Sequence, residues 1–158
     1  MTAHVSEAEW NISGGCACGR IRYESAARPI IQLTCHCLDC QKASGSAFAA
    51  VMMVPSDRLT CTGAVPKYHS VTAASGRTMN REFCGDCGAP LFIRKPELPS
   101  IAFLQVNSLD NPSLFSPEIH VYVGRMQPWE RFSEDAPYEK SPPPEMVKSL
   151  IQAYFASR

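Results

Sequence analysis

Seven of the eight cysteines stand in three tight clusters: Cys16-Ala17-Cys18, Cys35-His36-Cys37-Leu38-Asp39-Cys40 and Cys84-Gly85-Asp86-Cys87. Thiols in such numbers either pair as disulfides in a secreted mini-domain or hold metal in a reduced compartment, and tight clustering favours metal. Cys84-x-x-Cys87 followed by Gly88 has the form of a zinc knuckle, in which a tight turn aims two sulfurs at one point. Tetrahedral structural zinc takes four ligands, so the knuckle needs a second pair. Cys16 and Cys18 match best, since residues two apart on an extended segment point to the same side. A thioredoxin-like redox pair would need a strand leading into a helix. Pro90 and a strand-like stretch at 91–93 follow Cys87 instead.

Cys35, Cys37 and Cys40 then stand alone. Three protein ligands plus one open position is the arithmetic of catalytic zinc. The alternative is a closed site with a fourth ligand from His36, Asp39 or Cys61. His36, between two ligands of an extended Cys-x-Cys, should point away from the metal. Cys61, at the end of a strand-like stretch, reads as a small buried hydrophobe. Zinc with three thiolates carries a formal charge of minus one and accepts one more soft ligand, of which a substrate thiol is the obvious candidate.

These clusters sit in a chain of 158 residues with 45% hydrophobic content, enough for one domain with a core. Fifteen basic residues balance fifteen acidic ones, which argues against broad nucleic-acid binding and electrostatic membrane attachment. The longest apolar stretch, 47–54, is too short to span a bilayer. The N-terminus lacks the basic start and apolar core of a secretory signal, so a cytoplasmic location is expected. Short strands are expected at 20–24, 30–33, 47–54, 78–83, 91–94, 101–106 and 119–123, punctuated by prolines, in a sandwich-like or barrel-like body. The wholly apolar 47–54 suits a central strand buried on both faces. One helical turn is expected at 38–43. After Ser141-Pro142-Pro143-Pro144, apolar Val147, Leu150, Ile151, Tyr154 and Phe155 fall at helical spacing, as in a terminal helix docked on a sheet, with a homodimer contact as the rival reading. The expected layout is a flexible N-terminus at 1–11, a zinc-binding domain at 12–140 and a proline-led helix at 141–158.

The clusters and their surroundings resemble the glutathione-dependent formaldehyde-activating enzyme family, also called the Gfa and centromere protein V family. The resemblance runs from Gly14-Gly15-Cys16-Ala17-Cys18-Gly19-Arg20-Ile21-Arg22-Tyr23 to about Trp129. It includes the run from Cys35 to Gly45 and that from Phe83 to Leu91. It implies a mainly β fold of the β-tent type, with two zinc ions per chain. Cys16, Cys18, Cys84 and Cys87 would hold the structural ion, and Cys35, Cys37 and Cys40 the catalytic one. Many relatives carry a basic residue where this chain has Gln41.

The implied activity is that of a carbon–sulfur lyase that combines glutathione with formaldehyde into S-hydroxymethylglutathione. A deprotonated thiol would add to the carbonyl, or zinc would hold the aldehyde oxygen as a Lewis acid. Glutathione is anionic, so its pocket should offer donors and positive charge. Lys42, Ser44 and Ser46, just after the open site, are the first substrate-binding candidates, against a solvated lysine and an ordinary turn. Arg81 and Arg94 flank the knuckle and either reach the cleft or lie exposed on a strand face. His69 and His120 titrate near neutrality but read as ordinary strand histidines. Tyr68, Tyr122 and Trp129 read as packing residues. A non-enzymatic thiol carrier, or an interaction module with two structural zincs, are the competing functions.

Overall fold

The computed structural model describes residues 10–73, 75–131 and 137–157. The flexible N-terminus expected at 1–11 falls almost wholly on residues outside this set. Two sheets form the body. The smaller holds β1 (Ile12–Gly15), β2 (Ile21–Ser25) and β5 (Leu59–Gly63), all antiparallel. The larger has eight strands. These are β3 (Ile31–Cys35), β4 (Ala49–Pro55), β6 (Lys67–Thr72), β7 (Thr78–Phe83), β8 (Pro90–Arg94), β9 (Ile101–Gln105), β10 (Ile119–Val121) and β11 (Pro137–Tyr138). Their order is β11-β10-β3-β4-β9-β8-β7-β6. The fold is mainly β, as expected, with one departure from an all-antiparallel pattern. β10 runs parallel to both β3 and β11, which the long connection between β3 and β10 permits.

Period-2 alternation explains why the central strands are buried on both faces. Along β4, Ala50, Met52 and Val54 enter a core shared with Ile12, Ile21 and Tyr23 of the smaller sheet. Ala49, Val51 and Met53 face the opposite way, with Ile93, Phe103 and Val121. Against this second face lies α2 (Pro144–Ala156). Its Val147, Leu150, Ile151, Tyr154 and Phe155 pack there, and the Tyr154 hydroxyl donates to the Arg28 carbonyl at 2.8 Å. The terminal helix is thus docked on its own sheet. Among the described residues, no helix is long and apolar enough to cross a membrane.

The two sheets meet closely where β1 passes under Tyr23. A Cβ on Gly14 would sit 2.3 Å from both the Ser108 carbonyl oxygen and the Tyr23 hydroxyl, which is itself bonded to Ser108 Oγ at 2.7 Å. Gly14→Ala must displace backbone or a fully buried ring, an overpacking cost of about 1–3 kcal/mol. Thermal unfolding should show a midpoint lowered by roughly 2–10 °C for a domain of this size. An unchanged midpoint would mean that the close approach is not maintained in solution.

Candidate metal centres

The seven clustered cysteines come together as two groups, within each of which all the sulfurs lie within 4.8 Å of one another. Cys16, Cys18, Cys84 and Cys87 make the first, and Cys35, Cys37 and Cys40 the second. In the first, Cys16 and Cys18 occupy the turn between β1 and β2 rather than an extended segment. The Gly19 N–H donates to the Cys16 carbonyl, and the Ile21 N–H donates to Cys16 Sγ at 3.2 Å. The turn, helped by Gly19 at φ 77°, converges the two sulfurs. The knuckle after β7 is closed by the Gly88 N–H on the Cys84 carbonyl at 2.9 Å.

Sulfur separations of 3.5 Å (Cys16–Cys18) and 3.7 Å (Cys18–Cys84) suit a shared ion. Four thiolates at about 2.3 Å around a tetrahedral zinc would stand about 3.8 Å apart. Backbone donors also prepare the site for cation binding. The N–H groups of Ala89 and then Cys18 lower the Cys87 thiol to about 6.

The second group is built on the end of β3 and the start of α1 (Leu38–Ser44), which extends one residue beyond the expected turn. Cys37 is the N-cap of α1, and its sulfur accepts the Cys40 N–H at 3.3 Å. The helix ends on Gly45 in the left-handed region. The three thiols polarise one another. Hydrogen bonds from the Cys35 and then the Cys40 thiol push Cys37 down to about 2, while Cys37 and then Cys40 push Cys35 up. A cation held there would replace the thiol protons. Both groups fit a thiophilic metal such as zinc.

Among the described residues, no His, Cys, Asp or Glu adds a fourth ligand atom to the second group. Cys61 lies on β5 and is exposed, not buried as expected. The His36 ring instead enters a buried polar chain. Its Nε2 lies 3.0 Å from Thr34 Oγ1, which lies 2.6 Å from His120 Nδ1, and its own Nδ1 is 3.3 Å from Glu130 Oε2. Burial lowers the His36 pKa, against the pull of Glu130, favouring the neutral ring. Gln41 secures the loop from the other side. Its amide donates to the carbonyls of His36 (2.7 Å) and Arg125 (2.8 Å) and accepts from Gln127 (2.6 Å). Sequence reading missed this fastening, which a single uncharged amide does not announce.

Two cavities lie near the second group, and Asp39 lines both. One, of about 570 Å³, has Lys42, His69 and Arg81 among its lining residues. The sequence left Arg81, like Arg94, either reaching the cleft or lying exposed on a strand face. It is 7% exposed, and its Nη2 has no hydrogen-bond partner. Its charge reaches the cysteines: on the Cys40 thiol the bond with Cys35 lowers the pKa most, that with Cys37 raises it, and Arg81 lowers it, the balance lying above the ordinary value. Arg94 differs, being paired with Glu82 at 3.0 Å. Lys42 and Ser46 are exposed. The Ser44 hydroxyl stands 2.8 Å from the Cys40 carbonyl and 3.2 Å from that of Phe48, which serves the end of α1. The second cavity, about 760 Å³, lies beneath α2, and Cys35, Cys37 and Cys40 all open onto it.

A mainly β body carrying one four-thiol and one three-thiol group defines a class of cysteine-rich proteins whose clusters could hold metal ions. The chain belongs to the glutathione-dependent formaldehyde-activating enzyme family, whose model matches residues 11–125. Two fungal relatives share the name "Putative glutathione-dependent formaldehyde-activating enzyme". That from Phaeosphaeria nodorum is 24% identical over 127 residues, which is 75% of this chain and 66% of the relative. That from Penicillium rubens is 34% identical over 79 residues, 50% of this chain and 40% of the relative. The matched segment is thus less than two thirds of either relative's length. A crystal structure of a Rhodobacter sphaeroides protein has the same fold, with a TM-score of 0.50 and 18% identity over 66% of this chain and 96% of the other.

Proposed function

We propose that the chain holds two zinc ions and acts as a carbon–sulfur lyase in a reduced compartment such as the cytosol, joining glutathione or a related thiol to an aldehyde. The observation that carries this reading is the group of three thiols opening onto a cavity, with no fourth protein ligand atom among the described residues. Zinc held there would supply a Lewis-acid position that favours the ionised form of a substrate thiol or polarises a carbonyl. The protein's own groups supply the rest. Arg81, buried and with an unpaired nitrogen, offers a charge-assisted anchor for a carboxylate. Lys42, at the rim of the same cavity, adds positive charge. Ser44 fixes the end of α1 and so the direction of the cysteine loop, while Ser46 and Lys42 remain candidates for direct contact with the thiol's peptide part. The Gln41 fastening holds the cysteine loop against the segment at 125–127.

The test uses cobalt in place of zinc, because thiolate ligands give charge-transfer bands that respond to an added sulfur. Glutathione should alter the bands of the three-thiol site and leave those of the four-thiol site unchanged. Arg81→Gln should raise the glutathione concentration for half-response about 10-fold or more, the loss expected for one charge-assisted bond. Cysteamine, which lacks carboxylates, should respond equally in both proteins. A glutathione response unchanged by Arg81→Gln would remove the anchor role, and no response in either protein would favour a structural second ion. The enzymatic claim further requires S-hydroxymethylglutathione to form faster than in protein-free buffer at matched pH, since thiols add to formaldehyde unaided.

A further inference from the structure

The cavity under α2 does not suit the smallest aldehyde. It measures about 760 Å³, within the range of sites that enclose drug-sized ligands, about 300–1,000 Å³. Formaldehyde would leave nearly all of it unfilled. Its floor is the second face of the large sheet, including Val51, Met53, Ile93 and Phe103, and its roof is α2 with Leu150 and Ile151. Charged side chains lie toward its margin: Arg77, Glu97, Glu145 and Lys148 are exposed. Lys95 reaches inward, its ammonium 4.4 Å from the centre of the Phe103 ring. Glutathione carries two carboxylates and an ammonium, and setting these against such walls would cost several kcal/mol. The anchor for an anion, Arg81, is in the other cavity. The three cysteines thus open onto the apolar chamber, and Asp39 between them also lines the cavity that holds Arg81.

We propose that the apolar chamber binds the body of the carbonyl substrate, an aldehyde bearing an extended aliphatic or aromatic group of about six carbons or more. This rests on the reaction proposed above and narrows one of its two partners. The chemistry balances without a further reactant. The thiol sulfur bonds to the carbonyl carbon, the C=O π bond breaks, and the thiol proton ends on the oxygen, giving a hemithioacetal. The apolar group takes no part in bond making, and its burial places the carbonyl at the cysteine end of the chamber.

Two measurements on the zinc-loaded full chain test the inference. Calorimetry with primary alcohols from ethanol to octan-1-ol, which carry the body without the carbonyl, should show affinity rising about fourfold per methylene. With glutathione saturating, kcat/KM above the buffer blank should rise from formaldehyde through butanal to octanal. Leu150→Trp, which fills the chamber from the roof, and Val51→Phe, which fills it from the floor, should each flatten both series. Leu150 is only partly buried, so its variant keeps the test available if Val51→Phe fails to fold. A flat alcohol series, or one indifferent to Leu150→Trp, overturns the assignment. A flat series with the cobalt response to glutathione intact refutes the chamber's role alone. A steep series with no cobalt response refutes the reaction.

Discussion

Serine in place of Cys84 should cost the protein its fold at physiological temperature. Cys84 is fully buried, and its sulfur lies 3.7 Å from that of Cys18 in the turn between β1 and β2 of the smaller sheet. A zinc held there ties β1 and β2 to the end of β7, so its binding free energy is also folding free energy. Structural zinc in small domains has an apparent binding free energy of about 10–16 kcal/mol, against a total stability of about 5–15 kcal/mol for a typical domain. Loss of one of four thiolates should remove on the order of 5 kcal/mol or more of this. At roughly 2–4 °C per kcal/mol, the unfolding midpoint should drop by at least about 10 °C. Zinc content should fall below two ions per chain. A variant with the midpoint and zinc content of the parent would show that this site does not support the fold.

Cys37→Ser should produce the opposite pattern. Cys37 caps α1 by accepting the Cys40 N–H, and serine is among the best residues at that position. The helix should persist, with a midpoint within a few degrees of the parent. Zinc content should fall to one ion per chain, and the cobalt response to glutathione should vanish. Acceleration of S-hydroxymethylglutathione formation should fall at least ~10²-fold, into the buffer blank, because the position prepared for a substrate sulfur is gone. If Cys37→Ser and Cys84→Ser unfold alike, the two sites share one structural role and the proposed division of labour is wrong.

The thiol grouping was legible because cysteine spacing carries its own geometric content. The strands buried on both faces were legible because an apolar run such as 47–54 has few other uses. β5 and β6 were not expected as full strands, and their burial explains why: nearly every residue of both is exposed, so no hydrophobic alternation marks them. The fate of Arg81 was also hidden. An arginine on a strand reads as solvent-facing until the register sets it beside Ile93 on the covered face of the sheet. The chamber under α2 has no local signature, because its walls come from β3, β4, β8, β9 and the terminal helix. His36 was expected to turn away from a metal; its chain to Thr34 and His120 depends on the parallel pairing of β10 with β3, which no short-range pattern announces.

The two thiol groups differ in how much chain must exist before either can form. One lies within residues 35–40, while the other joins residues 66 apart. During synthesis the first becomes a local chelator once residue 40 is clear of the ribosome, at the cost of closing only a tiny loop. The second waits for residue 87 and for the pairing of distant strands, which is slow in folds of high contact order. Under the proposed division of roles, a nascent chain would therefore offer the three-thiol group to an ion before it has a fold, and an ion at the four-thiol group would arrive last. Scarcity of zinc at that late moment would strand a chain already holding metal but still open, with strand edges unpaired and prone to association.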